Sequence, residues 1–206
     1  MPALLALLIS VGAAGCAETS DQGAPPTGRP TSTGDSRALL DKLTVAAAGS
    51  MRGYSREHFP HWRSAGKNCD VRDTVLQRDG EGIKLTGCNV VGGHWTSVYD
   101  KRELTDPADV DIDHMVPLAN AWRTGAAAWT DEQRSAFAND LTRPQLIAVS
   151  ASSTRSKGDQ DPSQWRPPRQ EYWCTYAQSW ITVKAYWQLS VTSEEKSALA
   201  EMLGTC

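Results

Sequence analysis

Four cysteines, Cys69, Cys88, Cys174 and Cys206, are spread over the last two thirds of this 206-residue chain, and a fifth, Cys16, lies near its start. In an exported chain an even set of cysteines reads as a disulfide framework, which decides which segments are neighbours before any core is considered. Four cysteines permit three pairings. Cys69 with Cys88 and Cys174 with Cys206 is favoured, because each partner is then the nearest in sequence. A zinc site is the weaker rival, since no C-x-x-C spacing is present.

Export itself is read from the first residues. Residues 1–15 form an apolar run around Leu4, Leu5, Leu7, Leu8 and Ile9 that closes in Ala13, Ala14 and Gly15. The run is too short to span a bilayer and has the character of a signal peptide. Ala13-Ala14-Gly15-Cys16 also resembles a lipobox, in which Cys16 is lipidated and tethers the protein at the outer face of the membrane. Plain secretion is the competing reading. Residues 16–36, rich in Gly, Pro, Ser and Thr without apolar periodicity, read as a flexible linker. Residues 37–206 are then one domain of 20 basic and 21 acidic residues. That balance argues against a protein that coats nucleic acid electrostatically, though not against an enzyme that engages it briefly.

Periodicity predicts helices over residues 37–48, 70–78, 118–124, 130–139, 172–186 and 193–203, and strands over 82–91, 94–99, 110–112 and 146–149. Residues 155–160 read as a polar loop. The fold class is therefore α+β. Among the eight tryptophans, Trp173, Trp180 and Trp187 recur every seven residues, which suits a packed helical seam better than a base-stacking surface.

Chemistry concentrates in Asp111-Ile112-Asp113-His114-Met115-Val116-Pro117-Leu118. Aspartate is disfavoured in strands and needs a reason to be there. A histidine directly after a carboxylate sets a general base beside a hard-cation ligand, the pairing that phosphodiester hydrolysis needs. Taken alone the motif favours a structural reading. The later run Thr154-Arg155-Ser156-Lys157-Gly158-Asp159 shifts the balance by adding Arg155 and Lys157 as phosphate-binding candidates, against the plain alternative of solvated charges. His58, His61 and His94 show no ligand-like spacing and read as structural.

Together with Phe137-Ala138-Asn139-Asp140, Gln145-Leu146-Ile147-Ala148-Val149 and Trp165-x-Pro167-Pro168, these motifs resemble the secreted actinobacterial HNH endonuclease proteins, which are similar to the C-terminal nuclease domain of the GmrSD restriction system. The resemblance spans most of residues 50–206. It implies an HNH, or ββα-metal, nuclease core with additional helices, binding one Mg²⁺ or Mn²⁺ and acting on nucleic acid, DNA foremost. On that pattern His114 is the general base and Asp113 a metal ligand, with Asp111 a further candidate ligand. Thr154 stands where the family has a metal-side asparagine, which puts metal affinity and activity in doubt. The central asparagine of the signature corresponds either to Gln145 or to Asn139. Arg72 matches the family and is a phosphate candidate, the plain alternative being an ion pair with Asp73 or Asp79. Two other functions compete: a nuclease-fold binding protein that has lost turnover through Thr154, and a metal-free envelope hydrolase using Asp111, Asp113 and Glu103.

Overall fold

The computed structural model describes residues 33–66 and 69–206. The expected signal peptide, the lipidation candidate Cys16 and all of the expected linker before residue 33 lie outside these residues. The end of that linker is helical: α1 (Thr33–Lys42) begins there, burying Ser36 and Leu40 one turn apart. The helix also ends sooner than its apolar pattern predicts. Val191 N–H donates to the Thr44 carbonyl and Ala46 N–H to the Val191 carbonyl, each at 2.9 Å, and the β-branched Thr44 and Val45 favour that extended path.

A short antiparallel pair, β1 (Ser64–Gly66) and β2 (Cys69–Asp70), leads into α2 (Val71–Asp79). A reciprocal capping box between Asp70 and Asp73 starts this helix. The strand expected over 82–91 is instead a hairpin of β3 (Glu81–Thr86) and β4 (Asn89–Thr96), with β5 (Glu103–Leu104) on the outer edge of β4. Gly87, at a φ of +65°, takes the left-handed conformation that reverses the chain. Cys88 in that turn is bonded to Cys69.

The second half runs β6 (Val110–His114), α3 (Leu118–Arg123), α4 (Asp131–Ala138), β7 (Leu146–Ser150), α5 (Ala151–Lys157), α6 (Trp173–Tyr186) and α7 (Ser193–Leu203). The helix α4 opens with a capping box of Thr130 and Gln133. Cys174 in α6 is bonded to Cys206 beyond α7, so both favoured disulfides are present.

Strands β6 and β7 pair antiparallel from Val110 opposite Ser150 to His114 opposite Leu146. This two-stranded sheet is covered on both sides. Val110, Ile112, Leu146 and Ala148 join a core with Val75, Leu76 and Trp95, while Val149 joins a larger core around Tyr176, Trp180 and Ile181 of α6. Trp180 is fully buried, and Trp173 and Trp187 are partly buried against the same cluster, as a packed seam requires.

Candidate active site

Of the segment expected to be a polar loop, residues 155–157 are instead the end of the helix α5, set directly after β7 and packed against both β6 and β7, while residues 158–160 lie beyond the helix. Ala-Ser-Ser-Thr-Arg-Ser-Lys has no apolar stripe to betray it. Its ends are specified instead by polar groups: the Ser150 hydroxyl accepts from Ser153 N–H at 3.2 Å, and Gly158 leaves the helix at a φ of +56°. The site is thus a strand, an antiparallel strand and a helix.

Asp113 leaves β6 on the side covered by α5 and is almost fully buried. Its Oδ2 accepts from the Tyr99 hydroxyl at 2.8 Å and from Lys157 Nζ at 2.6 Å. Lys157 Nζ also donates to the His114 carbonyl at 2.7 Å. Burial pushes the Asp113 carboxyl upward and the Lys157 ammonium downward, and each charge opposes the other's shift. Burial, followed by the Asp113 charge, holds the Tyr99 phenol well above its ordinary value, so it stays a proton donor. Oδ1 of Asp113 accepts no hydrogen bond among the described residues.

His114, the next residue, has different partners. Its Nε2 lies 3.0 Å from the Ala138 carbonyl oxygen. A carbonyl can only accept, so Nε2 carries the proton and Nδ1 keeps its lone pair. Burial lowers the imidazole pKa to about 3, which keeps the ring neutral. Trp62 stacks on this ring at 5.9 Å and 30°, and His61 meets it edge-on at 6.3 Å.

Asp113 and His114 open on one cleft of about 340 Å³, shared with Arg56, Thr154, Arg155 and Asp159. The Thr154 hydroxyl, one turn into α5, makes only a 3.5 Å contact among the described residues, to the Ser150 carbonyl. Arg155 is exposed and has no ion-pair or hydrogen-bond partner among the described residues. The other expected site residues fall elsewhere. Asp111 does not line the cleft. Lys157 is fully buried and bound to Asp113, so it is corrected from a phosphate ligand to a support of the carboxylate. Arg72 is likewise corrected: its guanidinium donates to the Pro107 and Val110 carbonyls, at 2.8 and 2.9 Å, and pairs with neither Asp73 nor Asp79. It anchors the start of β6. Glu103 bonds Thr96 and His94 and lies off the cleft.

Gln145 and Asn139 both prove to be clamps. Fully buried, Gln145 accepts from Val116 N–H at 3.1 Å and donates to the Val116 carbonyl at 2.9 Å. It thereby holds the chain just past His114. Asn139 donates to the Pro60 carbonyl at 2.7 Å and accepts from Arg63 N–H at 3.0 Å, fixing the loop that carries His61 and Trp62. That loop and Tyr99 were not legible as parts of the site. A positive φ of 58° at Trp62 is the kind of strain that tertiary context must impose.

Residues 75–202 match the family of GmrSD restriction endonucleases, C-terminal domain. The chain belongs to this family. As a GmrSD C-terminal domain it is a nuclease-like domain, and the matched residues contain β6, β7 and α5. A protein of Arthroderma benhamiae, described as an uncharacterized secreted protein, is 53% identical over 176 residues, 85% of this chain and 86% of the relative. That relative is fungal, so the comparison gives no support to the expected actinobacterial link. No solved structure matches the chain.

Proposed function

We propose that this GmrSD-family domain is an exported, metal-dependent endonuclease that hydrolyses phosphodiester bonds in DNA, with β6, β7 and α5 as an HNH, ββα-metal core. The observation that carries the reading is His114, neutral and tethered through Nε2, with its Nδ1 lone pair unengaged among the described residues, beside Asp113 in one cleft. A general base needs that combination: a fixed ring, a known tautomer and a free nitrogen.

The donors fit a magnesium-like cation. Asp113 Oδ1 and the Thr154 hydroxyl are hard oxygen donors, and no group of three His, Cys, Asp or Glu residues able to hold a metal forms among the described residues. Mg²⁺ and Mn²⁺ sites with one protein carboxylate, waters and a substrate phosphate have this character, whereas a structural zinc site does not. When bound, the cation supplies Lewis-acid polarisation of the phosphate and charge stabilisation at the leaving oxygen. The chain's own residues do the rest. His114 Nδ1 takes the proton of the attacking water, the Ala138 carbonyl steadies the imidazolium that results, and Lys157 and Tyr99 keep the Asp113 carboxylate aimed. Arg155 contacts the substrate backbone.

Export is supported by the two disulfides, the apolar N-terminal run and the secreted relative. A lipid tether at Cys16 is the membrane-bound form of the same reading, and mass spectrometry of the membrane fraction detects it. The activity is tested by incubating supercoiled plasmid with the disulfide-intact protein in Mg²⁺ or Mn²⁺ and in EDTA: nicking only in metal is expected.

A further inference from the structure

Tyr54 and Arg56, which line the cleft, belong to a segment, residues 54–63, that lies ahead of the family-matched residues 75–202. This segment is rigidly seated. Phe59 is fully buried, His58 stacks on Trp122 at 5.7 Å and 21°, and Tyr54 meets the same indole edge-on at 5.8 Å. The Ser55 hydroxyl accepts from Glu57 N–H at 3.3 Å and caps the single 3-10 turn of Arg56–His58. Ser135 and Asn139 of the α4 end both donate to the Pro60 carbonyl, at 2.9 and 2.7 Å.

Upon this fixed turn stands Arg56, exposed, lining the cleft with His114, its guanidinium without an ion pair or hydrogen bond among the described residues. Arg155, from α5, lines the same cleft in the same condition. Arg123 shows the contrast: its guanidinium is tied to the Asp159 carboxylate at 2.8 Å and carbonyl at 2.7 Å. Two guanidinium forks from separate elements, neither partnered among the described residues, therefore line the cleft that holds His114. A planar fork of this kind matches the two free oxygens of a phosphodiester. In a domain of nearly balanced charge, local cations rather than a global field must hold the substrate.

Resting on the nuclease reading, we infer that Arg56 grips the substrate strand, and that with Arg155 it forms a two-armed clamp on the phosphodiester backbone either side of His114. The appended segment 54–63 thereby completes a substrate surface that the family-matched residues leave half built. Arg52, exposed and with its guanidinium equally unpaired among the described residues but absent from the cleft, takes no part.

Binding of 5′-fluorescein-labelled 20-mers, single-stranded and duplex, to the full-length protein in EDTA tests this by anisotropy without turnover. Arg56→Ala is expected to weaken binding about five- to tenfold at low salt and to lower the slope of log K against log salt by about 0.7 to 0.9, one phosphate contact. Arg56→Lys, which keeps charge but loses the fork, should fall between, and Arg52→Ala should stay near wild type. Unchanged binding in Arg56→Ala, or equal losses in Arg52→Ala and Arg56→Ala, would overturn the clamp while leaving the nuclease reading intact. Failure of the wild-type protein to bind either oligonucleotide would overturn both.

Discussion

Lys157 Nζ lies 2.6 Å from Asp113 Oδ2, and the two side chains are cut off from solvent, at 0% and 5% exposure. The last residue of α5 thus reaches back to the middle of the site and occupies one oxygen of the proposed metal ligand. Removing the Lys157 ammonium strands a buried carboxylate, which typically costs about 3–5 kcal/mol. Lys157→Met is expected to lower the denaturant midpoint sharply and to raise the metal concentration needed for cleavage. Chemical denaturation in EDTA beside a Mn²⁺ titration reads both, and wild-type values in the two assays would remove Lys157 from the site.

His114 makes stability fall in acid. Its folded pKa of about 3 lies below the ordinary value of 6.5, so between those limits the unfolded chain binds the extra proton. Its contribution is fully present above pH 6.5 and is lost as pH falls toward 3, by about 1.4 kcal/mol per pH unit. Urea unfolding in EDTA across pH 7.5 to 4.5 should show this slope in the wild type and a shallower one in His114→Phe.

Glu195 is a second buried support, remote from the cleft. Its Oε1 lies 3.1 Å from Lys184 Nζ with both side chains fully buried, and it accepts from Trp180 Nε1 at 2.6 Å. Glu195→Ala strands the Lys184 ammonium between α6 and α7, and a loss of about 3–5 kcal/mol is expected in thermal or urea unfolding. A loss below about 1 kcal/mol would mean that the network contributes little.

Much of this was legible before the fold was known, and the failures share a cause. Helices such as α4 and α7 carry capping boxes and apolar faces, and β7 is a continuous apolar run, so local rules suffice for them. The helix α5 has neither, because a serine cap and two packed strands define it. Lys157 looked like a phosphate ligand since sequence shows a charge but not the carboxylate 44 positions earlier that neutralises it. Gln145 and Asn139 were rivals for one role, and the structure gives each its own clamp. Trp62 and His61 reach His114 only through tertiary packing, for which the sequence holds no spacing signal.

Thr154 tests the proposed ligand set from the other side. An asparagine carbonyl reaches farther than a threonine hydroxyl and is the better oxygen donor. Thr154→Asn should therefore lower the Mg²⁺ or Mn²⁺ concentration giving half-maximal cleavage, by about threefold or more. An unchanged metal dependence would take residue 154 out of the coordination sphere.

The most direct measurement compares wild-type protein with His114→Ala, both disulfide-intact and folded by circular dichroism, on supercoiled plasmid in Mn²⁺ and in EDTA. The expected result is nicking by wild type in metal alone and at least a hundredfold slower nicking by the variant, the lower range for loss of a general base. Equal nicking by the two proteins, or nicking that survives EDTA, would contradict a metal-dependent site built on His114.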